Sequence, residues 1–343
     1  MKPKLVYIDH SFHQKTKSND FLRDILSKNF EIIDIWDDSW KGEKNLTVDF
    51  INSQSFDYVL FFQVLPSVSE LKKIKAKLIW VPMYDSIVGK GESFWMELST
   101  VSIKIISFSR KISEIAEKNA INAMSVQYFF NPENFGKVED YSGKRIFFWQ
   151  RMKFSFEDVK KIIGDQKIDQ CILKLDPDPG YEAVFPSKED IEKYNIKIIQ
   201  STLLKDKYLN LLKESNIFIS PRRFEGIGMS FIEAMSMGMA VVAIDNPTMN
   251  EYINNENGYL FDSKKVREIG LVSFQQKGIN ARRTCKQGYS RWKADQKMVS
   301  NFIRSKFKNH SEINCATFLF LKIGQFINKI IQDFKNYFKI DRY

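Results

Sequence analysis

Cysteine, histidine and long apolar runs are all scarce in this chain. Its 343 residues include only three cysteines and three histidines. Cys171, Cys285 and Cys315 stand far apart, form no even set and show no metal-ligand spacing, which argues against a disulfide framework and for a reducing compartment. Two of the histidines, His10 and His13, share one stretch of chain, so a zinc site built on imidazole is not expected. No uncharged apolar stretch reaches the length of a membrane span. The opening Met1-Lys2-Pro3-Lys4 runs straight into a short apolar segment, which is not the pattern of a signal peptide. A cytoplasmic protein is expected.

What is abundant is positive charge, and it is unevenly placed. The formal net charge is +10. Residues 1–262 come to about −3, residues 263–310 to about +11 and the remainder to about +2. A late basic segment points to an anionic surface partner more than to an anionic substrate. It carries no recognisable nucleic-acid module, so nucleic acid is not an expected partner.

The length suits two domains of ordinary size. In the first half, short apolar runs alternate with helical patterns. Leu5–Ile8, Glu31–Ile35, Tyr58–Phe62, Leu78–Val81 and Ile103–Phe108 read as strands. Asp20–Lys28, Ser69–Lys75 and Ser113–Asn119 read as helices, and Asp9–Ser18 as a polar loop. A polar stretch from Asn131 to Lys144 reads as a linker. The pattern then restarts, with strands at Ile146–Trp149, Gln170–Leu175, Ile196–Ile199, Ile217–Ile219 and Ala240–Ile244, and helices at Lys205–Glu214 and Ser230–Met237. Such runs argue for an α/β fold of two doubly wound Rossmann-like domains with a cleft between them. The expected divisions are 1–138, 139–287, and a closing helix with a basic amphipathic tail over 288–343.

The most informative segment runs from Ser220 to Met235, where Glu225 and Glu233 stand eight residues apart. An apolar run leads in, Gly226-Ile227-Gly228 turns the chain, and a helix from Ser230 carries Glu233. Free backbone N–H groups at such a helix start make an anion site. Acidic residues beside an anion site need a further purpose, and accepting O–H bonds from sugar hydroxyls is one.

Phe224 to Phe261 resembles the donor-binding segment of GT-B fold glycosyltransferases, specifically the retaining, family-4-like group 1 enzymes. The matching pieces are Glu225-Gly226-Ile227-Gly228, Glu233-Ala234-Met235, Gly238 to Val242, Asn250-Glu251 and Asn257 to Phe261. The resemblance implies transfer of a sugar from a UDP- or GDP-linked donor to a glycan or lipid-linked glycan, in bacterial surface polysaccharide synthesis. It implies that Glu225 contacts the transferred sugar and Glu233 the ribose. The amides of Gly226, Ile227, Gly228 and Met229 would hold the diphosphate, with Glu251 on the donor side. It further implies a basic pair on the diphosphate. Arg151 fits the first position; the second holds Phe156, which leaves Lys153 as the first substitute and Lys174 as the second. Neither a metal nor a cofactor is expected, since fixed cations and amides can replace a divalent ion.

Three loops depart from the group's pattern: Asp9 to His13, Tyr84-Asp85, and Asn246 to Met249. His10 and Asp85 are the acceptor-side candidates, and either would serve as base if the chemistry were inverting. A non-catalytic glycan- or nucleotide-binding scaffold is the other alternative. Arg222 and Arg223 are either phosphate ligands or a surface pair. Asp176-Pro177-Asp178 reads as a turn rather than a metal motif. The tail repeats apolar residues at helical spacing from Ala316 to Phe338. It either lies peripherally on the inner face of the cytoplasmic membrane or packs back on the first domain.

Overall fold

The computed structural model of the chain describes residues 1–39, 42, 46–178, 180–201, 203–220, 222–307 and 330. The amphipathic tail read from the sequence lies outside these residues, apart from Ile330. Two parallel six-stranded sheets organise the rest. The first contains β1 (Lys4–His10), β2 (Glu31–Asp37), β3 (Tyr58–Phe62), β4 (Lys77–Val81), β5 (Ile103–Ser107) and β6 (Asn122–Ser125), in the order β2-β1-β3-β4-β5-β6. The second contains β7 (Arg145–Gln150), β8 (Gln170–Leu175), β9 (Ile196–Ile199), β10 (Ile217–Ile219), β11 (Ala240–Ile244) and β12 (Gly258–Phe261), in the order β12-β11-β10-β7-β8-β9.

These strands are short and apolar because both faces are covered. Every residue of β3, β5, β10 and β11 is buried, as parallel strands packed under helices on two sides must be. The covering helices of the first domain are α1 (Phe12–Thr16), α2 (Asp20–Ser27), α3 (Val48–Ser53), α4 (Val68–Leu71), α5 (Tyr84–Ile87), α6 (Glu92–Leu98) and α7 (Arg110–Lys118). Those of the second are α8 (Phe156–Ile163), α9 (Lys188–Lys193), α10 (Lys205–Lys213) and α11 (Met229–Met237), followed by the long α12 (Phe274–Arg304). No helix among the described residues is long and apolar enough to cross a membrane.

The two-domain doubly wound architecture expected from the sequence is the one observed, and its differences in detail have physical causes. The polar stretch after β1 is not all loop: α1 forms there because His13 turns inward to bond Asp9. The lysine-rich helix expected at 69–75 is a single turn, α4, started by a Ser67–Glu70 capping box. Strands β6 and β12 were not evident as strands. Strand β6 reads Asn-Ala-Met-Ser and lies half exposed at a sheet edge, so it needs little apolar character.

Helix α12 runs without a break through position 288 and ties the domains together. Its first part lies on the second domain, where a Cβ at Gly278 would sit 2.1 Å from the Gly238 carbonyl oxygen. Its last part crosses to the first domain. There Trp292 packs edge-on against Phe21 and Tyr128, and Asn29 donates to Ser300 Oγ at 3.1 Å. The fully buried Lys104 of β5 donates to the Phe302 and Ser305 carbonyls, at 2.5 and 2.7 Å. These carbonyls lie at the negative end of the helix, where a cation is favoured.

In each sheet the strand order reverses once, between β1 and β3 and between β7 and β10. Ligands of such sheets bind outside the carboxyl ends of the strands at these points. The residues that follow there are His10, Gln63, Arg151 and the Ser220–Gly228 segment.

The close approach at Gly278 generates a stability prediction. Gly278→Val should lower the unfolding free energy by about 1–3 kcal/mol, because α12 must shift off a backbone atom. Gly89→Ala, with nothing within 4 Å of its Cβ position, should change it by no more than about 0.5 kcal/mol. Denaturant midpoints of the two variants check this, and equal shifts would reject the contact.

Candidate active site

The segment after β10 builds the centre of the cleft. The turn uses glycine for two distinct reasons. A Cβ on Gly226 would meet Met83 of the first domain at 2.9–3.1 Å, so its absence lets the two domains approach. Gly228 caps α11 at φ +80°, a conformation that side chains disfavour. Thr248 Oγ1 lies 2.9 and 3.0 Å from the Glu225 and Gly226 carbonyl oxygens, and pins the turn from the loop after β11. Ile227 is buried and Met229 half-buried, and the first amides of α11 have no partner within the helix, as at any helix start.

Glu225 is only 4% exposed. Burial pushes its carboxyl up to about 6; Arg222 and Arg151 pull it back, while Asp85 and Asp178 push it further up. Arg222 is the ion-pair partner of Glu225, with Nη1 3.5 Å from Oε2. The same nitrogen lies 3.4 Å from Oδ2 of Asp85, which comes from the first domain. Burial also raises the Asp85 carboxyl above its ordinary value, against the pull of Arg222. Glu233, on the fifth residue of α11, is likewise buried and raised by that burial, and Lys205 at the start of α10 pairs with it.

The cations just after β7 and near the end of β8 are individually held. Arg151 donates from Nε to Asp178 Oδ1 at 3.0 Å, and its guanidinium lies 4.9 Å from the Trp149 ring centre. Lys174, level with Trp149 across the β7–β8 pair, is buried against that ring at 3.8 Å and bonded to Asp176. Burial lowers its ammonium below the ordinary lysine value, and Asp176 partly restores it. Lys153 is exposed. Thus Asp176 and Asp178 do turn the chain, with Tyr181 N–H bonding the Asp178 carbonyl, but their carboxylates also grip the buried Lys174 and the half-buried Arg151.

In the first domain, His10 Nε2 lies 2.7 Å from Gln63 Oε1. Gln63 follows β3 with φ +62°, a strained value for a side-chain-bearing residue. Burial and the neighbouring His13 push the His10 imidazole down, so it is neutral at pH 7. Asp9 is buried, which raises its carboxyl, but bonds from His13, Asn19 and Arg23 outweigh this and leave it lowered. Asp9, His10 and His13 offer ligand atoms within 4.8 Å of one another. The Arg23 guanidinium 3.1 Å from Asp9 already supplies positive charge there, so the donor set does not suit a cation.

Glu251 is placed differently from the other expected donor-side residues. Its carboxylate crosses to the first domain and accepts from Ser109 Oγ at 2.6 Å, Arg110 N–H at 2.7 Å and Lys111 N–H at 3.3 Å, capping α7. Arg222 and Arg223 part company: Arg222 turns into the cleft, and Arg223 is exposed over Phe224. The partners Lys205, Gln63, Asp176, Asp178 and Thr248 were not singled out as site residues. Only the paired aspartates left a visible signal, and it read as a turn.

Residues 181–270, which contain this turn and helix, match the sequence pattern of the family described as Glycosyl transferases group 1. Solved GT-B structures share the architecture. Sucrose-phosphate synthase from Thermosynechococcus elongatus superposes with a TM-score of 0.63 at 11% identity, covering 88% of this chain and 98% of that one. HepE from Anabaena, solved with UDP and glucose, gives 0.58 at 12% identity, covering 87% and 99%. TarM of S. aureus gives 0.52 at 16% identity over 75% of this chain, which spans 57% of TarM's length. At these identities the likeness speaks for the fold. No curated protein matches the chain in sequence. The fold and the matched segment bear out the resemblance to GT-B glycosyltransferases of group 1.

Burial of Glu225 has a measurable cost. Its carboxyl titrates at about 6 in the fold, against 4.5 ordinarily. The folded protein therefore binds the extra proton between these values, and stability falls as pH rises through that window. Glu225→Gln should be more stable than the parent by about 2 kcal/mol above pH 6, with the difference vanishing below pH 4.5. Denaturant unfolding at pH 4 and pH 7.5 measures it; a pH-independent difference would reject the assignment.

Proposed function

We propose that this protein is a glycosyltransferase that moves a sugar from a UDP- or GDP-linked donor to a glycan or lipid-linked glycan, with retention of configuration. The observation that carries the proposal is the buried Glu225 beside the glycine turn that opens α11, with two held cations at the neighbouring strand ends. Cleaving a sugar from a nucleoside diphosphate develops negative charge on the leaving phosphate. Arg151, Lys174 and the amides of Gly226 to Met229 are the groups to receive it, each fixed in advance. A preorganised donor of this kind contributes about 3 kcal/mol to the transition state. Lys174 takes the second cationic role in preference to Lys153, because it is buried beside Arg151 and Trp149 while Lys153 faces solvent.

Glu225 accepts from hydroxyls of the transferred sugar, and Glu233 from those of the ribose. Lys205 pairs with Glu233 and offsets part of the burial that raises its carboxyl. In a retaining transfer the leaving phosphate itself takes the acceptor's proton, which asks for no enzymic base. Charge on the phosphate is met by side chains and amides, so we include metal-independence in the proposal. We place the reaction in bacterial surface polysaccharide synthesis, on the cytoplasmic side of the membrane, with the basic segment toward anionic lipid. HepE was solved with UDP-glucose and WaaB is a lipopolysaccharide outer core galactosyltransferase, and both share this fold; they support the context by analogy.

Glu225→Ala and Arg151→Ala should each lower kcat by about 10²–10³, with turnover of the parent unaffected by EDTA. Donor turnover across a UDP- and GDP-sugar panel checks this. Unchanged turnover in both variants would sink the site assignment. Loss in EDTA that Mg²⁺ or Mn²⁺ restores would sink metal-independence.

One observation favours a second reading. His10 is neutral and held in place by Gln63, as a general base requires. The product's anomeric configuration separates the readings: retention is expected. Inversion, together with loss of activity in His10→Ala, would favour the histidine.

A further inference from the structure

Arg222 joins the two domains at a cluster whose hydrogen bonding is incomplete. Its Nη1 reaches Asp85 at 3.4 Å and Glu225 at 3.5 Å, long contacts on both sides. Each of the three side chains also keeps one buried polar atom with no hydrogen-bond partner: Asp85 Oδ1, Arg222 Nε and Glu225 Oε1. A buried polar group without a partner destabilises the fold. Three in one cluster, drawn from both domains, mark a place built for something that supplies the missing bonds.

The chemistry of the cluster restricts what that is. It offers two carboxylate acceptors and one guanidinium donor. A phosphate has only acceptors: it would satisfy Arg222 Nε and be repelled by Asp85 and Glu225. A neutral polyol has both O–H donors and oxygen lone pairs, and meets all three at once. Arg151 and Lys174, each gripped by its own aspartate, are the cations left for a diphosphate.

We infer that Arg222 and Asp85, together with Glu225, form a subsite that reads the hydroxyls of an uncharged transferred sugar. Arg222 is a specificity residue of the sugar end of the donor and not a diphosphate ligand. Asp85 supplies the first domain's half, so the subsite is complete only where the domains meet. The inference rests on the proposed transfer from a nucleotide sugar.

Calorimetric titration of the full-length protein separates the possibilities. The probes are UDP and GDP alone, and UDP-glucose, UDP-galactose and GDP-mannose. Arg222→Met and Asp85→Asn should weaken binding of the preferred nucleotide sugar by about 10- to 100-fold, the value of a hydrogen bond to a charged group. They should leave affinity for the free nucleoside diphosphate within about twofold. Arg222→Lys, which keeps the charge but not the planar fork, should show the same split with a smaller loss. Thermal unfolding midpoints identify any variant that fails to fold, and the Lys variant then carries the test. Parallel losses for nucleotide and nucleotide sugar in a folded variant would make Arg222 a phosphate ligand and overturn the inference. So would unchanged binding of both ligands. If the parent binds no nucleotide or nucleotide sugar, the proposed transfer fails and this inference with it.

Discussion

A carboxylate taken out of water and set beside an arginine governs this cleft. Glu225 is buried where the second domain's turn meets the first domain, and its proton is held more tightly for that reason. Arg222 offsets part of the cost and passes the interaction to Asp85 on the opposite domain. The arrangement requires close approach. Gly226 permits it by leaving room for Met83, and Thr248 holds the turn from behind. Glu251 fastens the same two domains through the start of α7. Hydrogen bonds made in such a place are stronger because water is excluded.

The cations show the same economy of placement. Arg151, just after β7, and Lys174, within the adjacent parallel β8, both lie against the Trp149 ring, and each answers to one aspartate. Held this way, each has its orientation set by its own aspartate. The paired aspartates also explain how two cations can sit so near one another at the end of a sheet. On the other side of the cleft, Gln63 accepts a strained backbone to fix His10, and Asp9 fixes His13.

Much of this was legible residue by residue. The strands of both sheets announced themselves as short apolar runs, because a parallel strand covered on two faces has no polar side to show. Edge strands β6 and β12 did not; β6 is half exposed and needs no such run. Glu225, Glu233 and the glycine turn lie within fourteen residues of chain, so their grouping is local and their pattern survives in the primary structure. Arg222 was visible only as one of two arginines, and nothing local distinguishes it from Arg223. Asp176 and Asp178 looked like a turn, and are one, but their grip on Lys174 and Arg151 depends on the register of β7 against β8.

The amino-acid sequence by itself therefore determined the architecture, the glycine turn at the head of α11 and the presence of two acidic residues beside it. Those follow from short-range rules: apolar periodicity, glycine's conformational freedom and helix-end electrostatics. The tertiary structure decided which lysine is buried, which arginine enters the cleft, and that Glu251 caps a helix of the other domain. It also decided that Asp85 and Glu225 face one guanidinium. These are contacts between residues tens to more than a hundred positions apart. Only the packing of one sheet against another, with α12 binding the two, brings them within a few ångströms.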